Sequence, residues 1–97
     1  MARVPLPDLF VYSRPGCHLC EETRVLLSAL LAERSAAGRA APTVVERDIT
    51  THPAWERAFL ETIPVLEFGE RRLPLAVRAG DVRRFLAEAL DGAATPR

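Results

Sequence analysis

Two cysteines, Cys17 and Cys20, are the residues with the clearest capacity for chemistry. They follow a run of strand-forming residues at 9–12 and a Ser-Arg-Pro-Gly turn, and the helical pattern begins at His18. Cys17 is therefore expected in the first turn of a helix, where free backbone N–H groups and the helix dipole favour a thiolate. Cys20 lies one turn further along the same face, so its sulfur can reach Cys17. An attacking thiol and a resolving thiol are what thiol–disulfide exchange requires.

The residues around the pair leave other interpretations open. A C-x-x-C pair is also compatible with two small apolar residues on a helix, or with half of a zinc site. Glu21 and Glu22 fall in the first turn, where they suit the helix dipole but oppose ionisation of Cys17. The sequence alone does not decide between these two effects.

The elements that must position the cysteines follow from hydrophobic periodicity and turn residues. In chain order, we expect a lead-in at 1–8, a strand at 9–13, a helix from 18 to 33 or 34, a strand at 43–48, a short helix at 52–61, a strand at 64–68, a return strand at 71–75, a helix at 82–90 and a tail from 92. The two-residue Gly69-Glu70 loop predicts a hairpin. The order βαβ-α-ββα predicts a four-stranded mixed sheet between helices, a three-layer α/β sandwich.

Finer features of these elements are also predicted. A stripe of leucines at helical spacing should form the buried face of the first helix, namely Leu19, Leu26, Leu27, Leu30 and Leu31. Thr50 or Thr51 should cap the second helix, and Asp81 the last one. The mixed composition of the strand at 43–48 suits one edge of the sheet, and Pro74 in the return strand suits the other.

Length and composition limit the function classes. Ninety-seven residues fit one domain, 1–97, with a core at about 9–91. Thirteen basic residues balance thirteen acidic ones, so charge gives no reason to expect nucleic-acid or membrane binding. All the basic residues are arginines, which excludes lysine catalysis. Two cysteines are too few for a disulfide scaffold, and the N-terminus has no apolar signal region, so we expect a cytoplasmic protein.

The chain resembles the glutaredoxins of the thioredoxin superfamily. The resemblance rests on the segment Tyr-Ser-Arg-Pro-Gly-Cys-His-Leu-Cys at 12–20 and on Thr-Ile-Pro at 62–64. It implies a thioredoxin-like fold in which Cys17 is the exposed attacking thiol and Cys20 the buried resolving one. It further implies a cis bond before Pro64, with the Ile63 backbone beside Cys17, where it could pair with substrate or glutathione. Arg14 matches a basic residue that many glutaredoxins place near the glutathione carboxylate.

Two features depart from the glutaredoxin pattern. His18 and Leu19 stand where glutaredoxins carry Pro-Tyr or a similar pair, and His18 could stabilise a thiolate as imidazolium or simply be solvated. Glutaredoxins bind the γ-glutamyl end of glutathione with a Gly-Gly pair and an acidic or hydroxyl residue before the last helix. In this chain only Gly80 and Asp81 correspond to those residues. Glutathione is therefore a possible co-substrate, expected near Arg14, His18, Ile63, Pro64, Gly80 and Asp81.

Three functions remain in view. The first is a thiol–disulfide oxidoreductase acting on protein disulfides or glutathione mixed disulfides, recycled by glutathione or a reductase, without a bound cofactor or metal. The second is a metal-binding or metal-delivery module that uses Cys17, His18 and Cys20. The third is a non-catalytic binding protein that uses only the surface around the cis-proline. We expect a monomer, and the metal alternative also includes half of an iron–sulfur site shared across a dimer.

Overall fold

A computed structural model describes residues 6–91, so most of the expected lead-in and the tail from residue 92 lie outside the described residues. The elements in chain order are β1 (Leu9–Ser13), α1 (His18–Ala36), β2 (Val44–Asp48), a 3₁₀ turn (Ile49–Thr51), α2 (Pro53–Phe59), β3 (Val65–Phe68), β4 (Arg71–Leu73), α3 (Ala79–Leu86) and a π-helical segment (Ala87–Asp91). This is the predicted order βαβ-α-ββα.

The four strands form one mixed sheet in the order β2-β1-β3-β4. β1 runs parallel to β2, with Leu9 opposite Val44, and antiparallel to β3, with Leu9 opposite Phe68. β3 and β4 are joined by the predicted two-residue hairpin, in which Gly69 has a φ of +61°. The placement of β2 and β4 at the two edges confirms the sequence prediction.

The sheet is covered on both faces, which confirms the three-layer α/β architecture. β1 is buried along almost its whole length, as expected of a central strand between helices. On one face, α1 and α3 pack against the strands through apolar residues that include Leu9, Leu27, Leu30, Val82 and Phe85. On the other face, the shorter α2 packs over a second apolar cluster, which comprises Tyr12, Cys20, Ile49, Phe59, Ile63 and Val65.

The predicted helix caps were wrong. α3 begins at Ala79, after Arg78, and Asp81 lies inside its first turn, where it pairs with Arg84. The second helical region begins with the 3₁₀ turn, which is capped by the Asp48 carboxylate rather than by a threonine. The prediction that Leu19 belongs to the buried face of the first helix was also wrong, because Leu19 is 46% exposed. The other leucines of the predicted stripe are buried or half-buried.

Within residues 6–91, no helix is both long and apolar enough to cross a bilayer. β4 ends at Leu73, so Pro74 follows the strand instead of lying within it. β3 likewise begins one residue after Pro64. These boundary differences leave the predicted topology unchanged.

Candidate active site

The cysteine pair lies where β1 passes through a tight turn into α1. Cys17 is the N-cap residue of α1, with extended backbone, and Cys20 lies in the first turn. The turn closes through a hydrogen bond from the Cys17 N–H to the Arg14 carbonyl, and Gly16 takes a φ of +77°, which glycine adopts without steric cost. The chain is thereby directed so that the Cys17 side chain faces the helix N-terminus.

The two cysteines are joined in a disulfide with a Cα–Cα separation of 5.2 Å. The backbone N–H of Cys20 donates a hydrogen bond to the Cys17 Sγ over 3.1 Å. Cys20 is fully buried, whereas Cys17 is partly exposed. The arrangement can therefore present one sulfur to an incoming molecule while the other is reached only through it.

The backbone before β3 lies beside the disulfide. Cys17 packs against the same apolar cluster that contains Cys20 and Ile63. The Ile63–Pro64 peptide bond is cis. The Ile63 N–H donates to the Phe59 carbonyl over 3.0 Å, so this donor is already used within the fold. Among residues 6–91, no backbone N–H outside the helices and strands donates to the Ile63 carbonyl.

The segment after β4 braces this backbone from the other side. The Leu75 N–H donates to the Thr62 carbonyl over 2.8 Å, and the Ala76 N–H donates to the Pro64 carbonyl over 2.9 Å. The buried Thr23 hydroxyl of α1 donates to the Ala76 carbonyl over 2.7 Å. The cysteine-bearing helix, the cis-proline turn and the segment that follows β4 are thus held together by hydrogen bonds.

Arg14 is exposed and lines a depression of about 310 Å³ next to the cysteines. The charged residues lining the depression include three carboxylates, from Glu21, Glu46 and Asp48, and one further guanidinium, from Arg24. Arg24 forms an ion pair with Glu46. Arg14 is therefore close to the site, but its surroundings are more acidic than basic.

The His18 side chain contacts Glu22, one turn further along α1. Its Nε2 lies 2.9 Å from an oxygen of Glu22, and its side chain is 81% exposed. Of the two roles considered for His18, the solvated one is the closer match to this geometry.

Gly80 and Asp81 lie in the first turn of α3. A Cβ added at Gly80 would meet nothing within 4 Å, so packing does not require glycine there. Asp81 lines a different depression, together with Arg71, Arg72 and Arg84. Arg14 and Asp81, two of the predicted glutathione contacts, therefore line two different depressions.

A polar network next to the site was not predicted. The buried Tyr12 hydroxyl donates to Glu67 and accepts from Arg47, each over 2.7 Å, and Arg72 donates to Glu67 over 2.8 Å. Burial raises the pKa of Tyr12, and the hydrogen bond to Glu67 raises it further. For Glu67, burial opposes ionisation, but the hydrogen bonds from Tyr12 and Arg72 outweigh it and lower the pKa. Period-two alternation in the strands was the available signal, because it puts Tyr12, Arg47 and Glu67 on the same face.

The metal hypothesis gains no support from side-chain placement. Across the described residues 6–91, no group of three or more His, Cys, Asp and Glu side chains is arranged to hold a metal ion. The two sulfurs are bonded to each other and His18 is paired with Glu22.

The sheet order and a disulfide at the start of the first helix place this chain among the thioredoxin-like proteins of glutaredoxin type. The family model described as "Glutaredoxin-like domain (DUF836)" matches residues 8–91, and the chain belongs to that family. The predicted family and fold are confirmed.

Solved structures agree with this assignment. The chain is similar to the target protein XcR50 from X. campestris, with 27% identity, a TM-score of 0.64, and coverage of 91% of this chain and 99% of that one. It has the fold of protein Ne2328 from Nitrosomonas europaea, with 24% identity, a TM-score of 0.61, and coverage of 99% of both chains. The comparison with curated proteins gives no match.

Proposed function

We propose that this protein is a small thiol–disulfide oxidoreductase in which Cys17 attacks and Cys20 resolves. The observation that carries the proposal is the unequal exposure of two bonded sulfurs at a helix N-terminus. Cys17 is partly exposed at the N-cap of α1, and Cys20 is fully buried one turn further on. This inequality assigns the two roles, since the substrate meets the exposed Cys17 thiol first.

The first step begins from the reduced protein. The Cys17 thiolate attacks one sulfur of a substrate disulfide, a new S–S bond forms to Cys17, and the other substrate sulfur leaves as a thiolate that takes up a proton. The Cys20 N–H, which donates to the Cys17 Sγ over 3.1 Å, supports the thiolate form, as does the positive end of the helix dipole. The carboxylate of Glu21 in the first turn of α1 opposes it, whereas a carboxylate oxygen of Glu22 lies 2.9 Å from the His18 Nε2.

The second step releases the substrate. Cys20 loses its proton and attacks the Cys17 sulfur, so the Cys17–Cys20 bond forms while the mixed disulfide breaks. The protein has then lost two electrons and two protons, which the substrate has gained. An external thiol, such as glutathione or a dithiol protein, returns the pair to the reduced state. The short sequence separation supports this step, because both sulfurs already lie within bonding reach in one turn of helix.

The test compares two single substitutions after reduction and removal of the reductant. Each protein is mixed with bis(2-hydroxyethyl) disulfide, quenched with acid, and weighed intact. We expect wild-type protein to lose two hydrogens, Cys20→Ser to retain a hydroxyethylthio adduct, and Cys17→Ser to react far more slowly, because Cys20 is buried.

Circular dichroism of both variants serves as the folding control. A Cys20→Ser protein that reacts with the disulfide but retains no hydroxyethylthio adduct would refute the role of Cys20 as the resolving thiol. A Cys17→Ser protein that reacts as fast as wild type would refute the role of Cys17.

A further inference from the structure

Three exposed apolar side chains belong to the cysteine-bearing turn of α1 and to the segment that is hydrogen-bonded to the cis-proline turn. We call these residues, Leu19, Leu75 and Val77, the apolar collar. Leu19 stands between the two cysteines and is 46% exposed, while Leu75 and Val77 are 50% and 39% exposed. Leucine and valine are usually buried, and isolated exposed ones need no explanation, but a group of them beside a reactive site is a candidate contact surface.

Hydrogen bonds fix the collar to the site. Leu75 is bonded to Thr62, two residues before the cis-proline, and the next residue, Ala76, is held by the Thr23 hydroxyl. Thr23 lies one helical turn after Leu19. The collar residues are therefore presented by segments that are tied directly to the helix and the turn that carry the disulfide.

Leu75 is difficult to explain by the fold alone. Among residues 6–91 it is the one non-glycine residue with a positive φ, at +50°. This conformation disfavours residues with a Cβ, and the side chain gains little from burial, since half of it remains in water. Neither the backbone conformation nor the solvent exposure of this position favours leucine, and a contact between Leu75 and a binding partner would explain why leucine is there.

The charge around the turn that leads into Cys17 limits what that partner can be. The depression beside Cys17 has three carboxylates against Arg14 and Arg24, and Arg24 is already paired with Glu46. Glutathione carries two carboxylates and one ammonium group, so this surface repels its net negative charge. An uncharged or cationic segment meets no such repulsion.

We infer that the substrate is a protein disulfide in an extended, uncharged or cationic segment whose cysteine is flanked by apolar residues, in preference to glutathione. The inference rests on the proposed function and names its substrate class. The flanking side chains would pack on Leu75 and Val77, and the Ile63 carbonyl would accept a backbone N–H from the segment. The exchange itself is the two-step transfer already described, with two electrons passing from the protein dithiol to the substrate disulfide.

The test is a single turnover of reduced wild-type protein with three probes. They are oxidised glutathione and the disulfide-linked dimers of two blocked tripeptides, Leu-Cys-Leu and Asp-Cys-Asp. Each rate is divided by the rate of the same probe with dithiothreitol, which removes differences in intrinsic reactivity. We expect the leucine peptide to react at least about tenfold faster than either anionic probe, since both burial and charge favour it.

Variants separate the collar from general effects. Because half of the Leu75 side chain remains to be buried, Leu75→Ser should slow the leucine peptide about fivefold and leave oxidised glutathione unchanged. Val44→Ser is the matched control for Val77→Ser, since both valines are 39% exposed. Val44 lies far from the site, because it pairs with Leu9 at the opposite end of β1 from the active-site turn. Only Val77→Ser should slow the leucine peptide.

The outcomes distinguish the inference from the proposed function. If oxidised glutathione reacts as fast as the leucine peptide, or if Leu75→Ser and Val77→Ser slow no probe selectively, the inference is overturned and the oxidoreductase proposal stands. If no probe oxidises the protein, the proposed function fails and the inference fails with it.

Discussion

Replacing Tyr12 with phenylalanine removes one hydroxyl from the polar network that spans the sheet beneath α2. The hydroxyl donates to Glu67 of β3 and accepts from Arg47 of β2, each over 2.7 Å. The Tyr12 residue is 2% exposed, and its ring packs against Phe59 and Trp55. All three belong to the apolar cluster that also contains Cys20 and contacts Cys17. Phenylalanine preserves this packing, so the change isolates the two hydrogen bonds.

The expected cost follows from the partners that remain. Hydrogen bonds to charged groups contribute about 1.5–3 kcal/mol each when their partner is lost in a buried site. Glu67 keeps its bond to Arg72 at 2.8 Å and is 15% exposed, so it is not left without a donor. We therefore expect Tyr12→Phe to lower the free energy of unfolding by about 1–2 kcal/mol, which corresponds to about 5–15 °C in Tm for a domain of this size.

Thermal and urea unfolding of the oxidised protein measure this change, and a double-mutant cycle assigns it. Tyr12→Phe, Glu67→Ala and the double variant should show a coupling energy of about 1 kcal/mol, since the two side chains bond directly. A loss below about 0.5 kcal/mol, or effects that simply add, would refute the network's role in stability.

Three further predictions concern stability. Because the pKa of Glu67 is lowered in the folded protein, its ionised carboxylate stabilises the fold at pH values above the ordinary carboxyl pKa, and this stabilisation is lost as the pH falls through the folded-state pKa. Urea titrations should therefore show that wild-type protein loses more stability than Glu67→Gln between about pH 5 and pH 3. An equal loss in both proteins would contradict this. Thr23→Val leaves the buried Ala76 carbonyl without its donor and should cost about 1–2 kcal/mol, with faster hydrogen exchange at the Ala76 amide; unchanged exchange would contradict the bracing role. Gly80→Ala should raise stability by about 0.5–1 kcal/mol in thermal unfolding, because the site is helical and open; a lower Tm would show that this glycine is required.

The topology could be predicted because each of its signals is local. The strand formers at the start of β1, the leucine spacing of α1 and the Gly69-Glu70 loop each specify a short segment, and the order of the segments restricts the sheet. The position of the cysteine pair is likewise specified by a short segment of the sequence. A turn, a helix start and a spacing of three residues suffice to place one sulfur at the N-cap and the other within reach.

The features that were missed depend on distant parts of the chain. The Tyr12–Glu67 hydrogen bond joins residues 55 positions apart, and it exists only because β1 and β3 pair in one particular register. Helical spacing shows that Leu19 shares a face of α1 with other leucines. It does not show that the residues packed on this face stop short of Leu19, which is 46% exposed. Asp81 has the chemistry of a cap, yet the helix begins earlier, after a segment that Thr62 and Pro64 hold in place.

The most direct test of the redox account is an equilibrium titration of wild-type protein in glutathione and dithiothreitol buffers that span at least about −300 to −120 mV, the range that contains known C-x-x-C proteins. Samples are quenched with acid and their intact masses are measured. The account predicts a reversible loss of two hydrogens with a single midpoint, reached from both the reduced and the oxidised side. A mass that stays at the fully reduced value across the whole range would contradict a working Cys17–Cys20 couple and with it the proposed function.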